Sequence, residues 1–251
     1  MGYSEYDVKV LPTVLAAIIL VSVILAVALR RRNERIRAIP TALIAVTMLF
    51  IEIVKQRWNF LGDQDPYILP FHYCSIFLLI IPLAELCGQR LSGIFRPIAA
   101  CMAFSVSAGM YLFPQGILGN ACETFGVSFY RTHSFIFHHL LVLYFVLVVA
   151  MRLYEPRFRS VFIVGGIGLT YGIIATPIAH ALNENYCNLL ESVIPPMEEL
   201  RISYGQVSYT VILVVCLILG TMLGSALYVA SSKFFMRFVF TRGKNQKYKG
   251  N

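Results

Sequence analysis

Apolar residues run along this chain in long blocks, neither alternating nor striped along a polar background. Mostly apolar stretches of about 18 to 22 residues, each able to cross roughly 30 Å of hydrocarbon as a helix, recur near 10–30, 38–56, 69–87, 95–113, 132–151, 160–181 and 206–230. Lipid offers unpaired backbone groups no partner, so blocks of this kind predict helices. The short alternating segments of an outer-membrane barrel are absent. The expectation is an all-α fold: a polytopic membrane bundle of seven transmembrane helices, one domain over 1–232, then a basic tail over 233–251.

Charge sets the orientation. The head MGYSEYDVK carries Glu5 and Asp7 against Lys9, and the arginines of RRRNERIR follow the first block. That polarity is opposite to a secretory signal and fits an anchor with its N-terminus outside. With that start, most of the 21 basic residues fall on the cytoplasmic side: Arg30 to Arg37, Arg90, Arg96, Arg152, Arg157, Arg159 and the tail. The positive-inside rule therefore predicts N-terminus out, C-terminus in, and a multi-pass protein of the cell membrane. The net charge of +8 belongs to this rim. No nucleic-acid module accompanies it, and no nucleic-acid partner is predicted. The tail interleaves aromatics with Lys and Arg, which suits anionic lipid headgroups.

Two outer loops are long, Pro114 to Arg131 and Asn183 to Gly205. Both carry apolar residues, so each is expected to lie on the membrane or fold over the bundle. Cys122 and Cys187 fall in these loops, where an oxidising exterior permits a disulfide that sequence cannot assign. Gly220 and Gly224 form a GxxxG in the seventh block, suited to close internal packing or to a homodimer face.

Polar side chains gather at the outer end. His72 opens the third block, His133, His138 and His139 open the fifth, His180 closes the sixth, and Asn183 and Asn185 follow. Glu52 lies in the last turns of the second block, with Lys55 three residues on. Ionisable groups are costly within a membrane and usually face an interior site, so this clustering marks a pocket. In LPFHYCSIFLL, Pro70 suits a first helical position and Cys74 the first turn, where the helix dipole favours a thiolate. His72, Cys74, His133, His139 and Glu52 include donors that zinc would accept, but no two share a helix face at ligand spacing, and neither metal nor cofactor is predicted. Arg131, Ser134 and His138 form one stripe at i, i+3, i+7, which turns His138 inward.

The stretches Tyr67-Ile-Leu-Pro-Phe-His-Tyr-Cys74, Phe137-His-His-Leu-Leu141 and Leu182-Asn-Glu-Asn-Tyr-Cys187 resemble the bacterial YwaF-like integral membrane family. That family is similar to eukaryotic transmembrane protein 164, a lipid acyltransferase. The resemblance implies acyl transfer between phospholipids by a cysteine nucleophile and a histidine on a later helix, which corresponds to His139. The eukaryotic motif has its cysteine directly between proline and histidine, where this chain has Phe71. The resemblance and the clustering together predict a membrane-embedded acyltransferase or acyl hydrolase acting on outer-leaflet phospholipids. Cys74 is assigned as nucleophile, His139 as base and acid, and His72 as orienting group. His138, His133, Asn183, Asn185 and Glu52 are assigned to substrate. A transporter or receptor with a polar pocket at the outer face is the alternative.

Overall fold

The computed structural model describes residues 4–62, 64–192 and 194–247, with side chains as far as 234. Seven helices carry the architecture: α1 Glu5–Leu29, α2 Ile39–Leu61, α3 Phe77–Glu85, α4 Gln89–Leu112, α5 Phe129–Ala150, α6 Phe158–Leu182 and α7 Pro195–Lys247. No strand occurs among the described residues. Helical starts follow local chemistry. Ser4 caps α1 in a reciprocal box, its hydroxyl accepting from the Asp7 amide at 3.1 Å and the Asp7 carboxylate accepting from the Ser4 amide at 2.9 Å. Asn33 caps the short turn Glu34–Arg37 that leads into α2. Two helices start earlier than expected, α1 at Glu5 and α7 at Pro195, the latter broken at Gly205 where φ is +82°.

Among the described residues six helices are long and apolar enough to cross a membrane, and the third block is not. The expected span at 69–87 contains only nine residues of α-helix, preceded by four of 3-10 helix at Tyr73–Ile76. That is about 20 Å of helix, short of the hydrocarbon thickness. Pro70 stands outside it, and His72 takes an extended conformation (φ −73°, ψ 149°) as the residue before the 3-10 turn. The prediction of seven full spans is thus corrected to six long helices and one short one.

The far end of α3 is fixed by a buried charge cluster. Glu85, with its side chain fully buried, accepts from Arg96 Nε at 3.0 Å, Arg96 Nη2 at 3.1 Å, Thr41 Oγ1 at 2.7 Å and Tyr144 Oη at 3.0 Å. Arg96 Nη1 also reaches Glu34 at 2.9 Å. A carboxylate with four donors, two of them from one bidentate guanidinium, forms a fully satisfied buried pair. It ties α3 to α2, α4 and α5.

Large apolar side chains such as Leu20, Ile24, Phe50, Leu223 and Leu227 project outward from the long helices, as expected of faces that meet lipid. Inside, α6 and α7 meet along glycines. A Cβ built on Gly172 would lie 2.5 Å from Val214 Cγ1, and one on Gly165 would lie 2.5 Å from Met222 Sδ. In the GxxxG of α7, Gly224 faces inward, its Cβ position 2.7 Å from Ser105 Oγ, whereas nothing lies within 4 Å of the Cβ position of Gly220. The basic side chains of the tail beyond Phe234 lie outside the described residues.

Two outcomes follow for stability, both read by thermal unfolding in detergent. Arg96→Ala strips the buried Glu85 carboxylate of its cation and is expected to cost about 3–5 kcal/mol. Gly172→Ala forces Val214 aside and is expected to cost about 1–3 kcal/mol.

Candidate functional site

The end of the bundle opposite Glu85 holds a cavity of about 790 Å³. Because α3 stops short, its place at this end is taken by irregular chain from α2 to Ile76 and by the two long loops. Side chains answer several backbone groups of the 64–72 segment. Asn59 Nδ2 donates to the Asp65 carbonyl and its Oδ1 accepts from the Asp65 amide, both at 2.9 Å. Gln56 Nε2 donates to the Ile68 carbonyl at 2.9 Å, and the Tyr186 hydroxyl donates to the Pro66 carbonyl. Tyr171 on α6 donates to the Phe71 carbonyl at 3.0 Å. Such pairing is what permits non-helical chain at membrane depth.

The segment after α6 is held equally firmly. Asn183 ends the helix in the left-handed conformation (φ 53°). Asn185 Oδ1 accepts from the Leu190 and Glu191 amides at 2.9 and 3.2 Å. From α7, Tyr209 donates to the Asn188 carbonyl and Gln206 to the Leu189 carbonyl. Between these ties Cys187 and Asn188 both sit at positive φ, 50° and 63°. Non-glycine residues seldom hold that conformation, and its cost is met by the surrounding bonds.

The cavity wall is largely apolar, with Val106, Ile117, Phe137, Leu213 and Leu217 among its residues. Its polar groups are concentrated. Glu52 accepts from Lys55 Nζ at 2.8 Å and Gln56 Nε2 at 2.7 Å, and its second oxygen lies 3.3 Å from His133 Nε2. His138 hydrogen-bonds through Nδ1 to the Ser134 carbonyl at 2.8 Å, which makes Nε2 its accepting nitrogen. His72 sits among aromatic rings, edge-on to Tyr67 at 4.8 Å and to Tyr186 at 5.3 Å between centroids. Its Nε2 donates to the Tyr67 carbonyl at 3.3 Å, and its Nδ1 lies 3.9 Å from Cys187 Sγ. The Tyr73 amide donates to the same sulfur at 3.0 Å. Burial raises the Cys187 thiol above its ordinary range, while the Tyr171 hydroxyl and the Tyr73 amide act in the opposite sense.

The model of the TMEM164 family matches residues 3–224, a range that contains every residue of the cavity. The chain belongs to the TMEM164 family. It is a multi-pass membrane protein, as that membership and its six long apolar helices require. No curated protein and no solved structure matches this TMEM164 family member.

Of the residues singled out from sequence, Glu52, His72, Cys74, His133, His138 and Asn185 line the one cavity. Asn183 is exposed and not among its lining residues. His139 lies apart: its ring packs on Phe135 at 4.1 Å, Nδ1 bonds to the Phe135 carbonyl at 2.7 Å, and it lines a small apolar recess with Val14 and Ile18 of α1. The 100° step between neighbours on a helix explains the separation, and periodicity rather than resemblance located the inward histidine. Cys74 lines the cavity, but among the described residues no histidine nitrogen comes within hydrogen-bonding distance of its thiol. Phe71, which occupies the motif position of the eukaryotic cysteine, packs edge-on to Tyr186.

Cys122 and Cys187 are both free thiols. Cys122 packs with Leu11, Met110 and Leu118 against α1, and burial, with Asp7 beside it, pushes its thiol up to about 12. The disulfide the loops allowed is not formed: Cys122 packs against α1, whereas Cys187 lies at the cavity beside His72 and the Tyr73 amide. Among the described residues no group of three His, Cys, Asp or Glu side chains is placed to hold a metal ion. Lys55, Arg131, Tyr171 and Cys187 also line the cavity and had no role assigned from sequence. The signal available for Cys187 was its place in the polar run Asn183-Glu-Asn-Tyr-Cys-Asn188 directly after a helix.

Asn59→Ala removes both bonds to Asp65 and is expected to cost about 1–3 kcal/mol. The measurement is hydrogen exchange by mass spectrometry, with faster exchange expected in the peptide spanning Asp65 to Leu69 and little change in α6.

Proposed function

We propose that this protein is a membrane-embedded lipid-modifying enzyme that transfers or hydrolyses acyl groups of phospholipids through a thiol in the cavity. The observation that carries the reading is the cavity's composition: three cysteines (Cys74, Cys187 and Cys216) and three histidines line a largely apolar chamber large enough for part of a lipid, in a chain whose long helices turn apolar side chains outward. Pockets of this size, mostly apolar with a few convergent polar groups, are the usual form of small-molecule sites. The apolar wall suits an acyl chain. Lys55 and Arg131 are cations suited to a phosphate, and Arg131 presents a planar fork to its oxygens.

Charge supports an outward-facing site in the cell membrane. The cavity lies at the end away from Arg30 to Arg37, Arg96 and Arg152 to Arg159, which the positive-inside rule assigns to the cytoplasm. Outer-leaflet lipid is then the substrate source. Within the chamber, His138 has the tautomer of a base, with Nε2 available to an acceptor hydroxyl or to water. The Glu52, Lys55 and His133 group fixes the cavity wall and the headgroup cation.

The test uses the purified full chain in lipid nanodiscs containing a diacyl phospholipid and a lysophospholipid acceptor, with products read by mass spectrometry. Lysophospholipid release and a new diacyl product are expected. His138→Ala is expected to lower turnover roughly 100-fold, a usual cost for a lost acid–base group, and His139→Ala by much less. Lipid bound without any product, with every common headgroup, overturns the enzymatic reading in favour of transport or reception.

A further inference from the structure

Resting on the acyl-transfer reading, we infer that the reactive thiol is Cys187, with His72 as its proton acceptor, and that Cys74 is a wall residue. Four observations converge on this pair. Cys187 Sγ lies 3.9 Å from His72 Nδ1, the one histidine nitrogen within reach of a cavity thiol among the described residues. His72 Nε2–H is committed to the Tyr67 carbonyl, which leaves the Nδ1 lone pair turned to the sulfur. The Tyr73 amide donates to Sγ, as a group must if it is to stabilise a thiolate. Finally, Cys187 is held at φ 50° by bonds from α7 and Asn185, a backbone conformation that is costly to keep and that presents the side chain to the cavity.

The arrangement has the logic of a nucleophile, a base and an orienting acceptor, with the Tyr67 carbonyl in the third place. A sulfur–nitrogen separation at the long end of hydrogen bonding is usual before substrate tightens the site. The protonated thiol gives its proton to His72 Nδ1 as sulfur attacks the ester carbonyl, forming the S–C bond. Collapse of the tetrahedral oxyanion breaks the ester C–O bond, and the departing lysophospholipid oxygen takes the proton from His72. The enzyme is left as an acyl thioester. In the second half, the hydroxyl of a lysophospholipid, or water, gives its proton to a base and attacks the thioester carbonyl. The C–S bond breaks and the sulfur recovers a proton. No electron acceptor is needed at either stage. Tyr67 and Tyr186, packed on the His72 ring, keep Nδ1 on the sulfur and restrict water there.

Two measurements on the full chain separate this inference from the acyl-transfer reading. In the first, protein incubated with diacyl phospholipid is digested and its acylated peptide sequenced by mass spectrometry. The acyl group is expected on Cys187, retained in Cys74→Ala and lost in Cys187→Ala. An adduct on Cys74 overturns the inference and leaves acyl transfer standing. In the second, iodoacetamide alkylation rates of Cys74 and Cys187 are compared in wild type and in His72→Asn, which keeps a hydrogen-bonding side chain but cannot take the proton. Cys187 is expected to react faster than Cys74 and to slow roughly 100-fold in His72→Asn, with Cys74 unaffected. Equal slowing of both thiols, or none at Cys187, overturns the pair. His72-dependent reactivity of Cys187 without any acyl adduct leaves the pair standing and overturns acyl transfer.

Discussion

The buried pairing of Glu85 with Arg96 sets the depth of everything that follows it in the bundle. A carboxylate without solvent is tolerable only where donors saturate it, and here a guanidinium, a tyrosine and a threonine from three other helices do so. That requirement fixes the last residue of α3 at one end of the molecule. With nine residues of α-helix and four of 3-10 helix available, the other end of the segment falls short of the opposite face. The cavity occupies the space left over. A structural ion pair and a site at opposite ends of the bundle are thus two results of one short helix.

Filling that space with irregular chain imposes a second constraint. Each amide and carbonyl at membrane depth needs a partner, and side chains from α2, α6 and α7 supply them: Gln56, Asn59, Tyr171, Gln206 and Tyr209. These residues are polar or amphipathic within apolar helices, so they stand out in the sequence as the His and Glu residues do. Their work, however, is to hold loops, and the loops in turn hold His72 and Cys187. A polar residue in a membrane helix is as informative when it is structural as when it is reactive.

The sequence made the helices and the polar end legible, because both rest on local rules: block length and the cost of ionisable groups in lipid. His138 was legible too, since Arg131, Ser134 and His138 recur at helical spacing and all line the cavity. The shortness of α3 was not. Its apolar block has the length of a span, and only the distant partners of Glu85 show where helix ends and chain begins. Cys187 was hidden for a similar reason. Its surroundings come from Tyr73 and His72, more than a hundred positions away, and its conformation depends on bonds from α7. Placing Cys74 beside a histidine of α5 assumed a regular helix from Pro70 onward, and the extended backbone at His72 removes that premise.

The glycine seam between α6 and α7 has a mechanical meaning. With Val214 and Met222 set against backbone at Gly172 and Gly165, the two helices interlock and cannot slide past one another without lifting apart. The loop bearing Cys187 is strung between the ends of this locked pair, while His72 is carried by α3, whose root is the Glu85 cluster. Sulfur and imidazole are therefore carried by different elements, which meet where Tyr171 donates to the Phe71 carbonyl and Tyr186 to the Pro66 carbonyl. Their separation works as a gauge: any shift of α3 against the α6–α7 pair registers directly in the distance from sulfur to imidazole nitrogen.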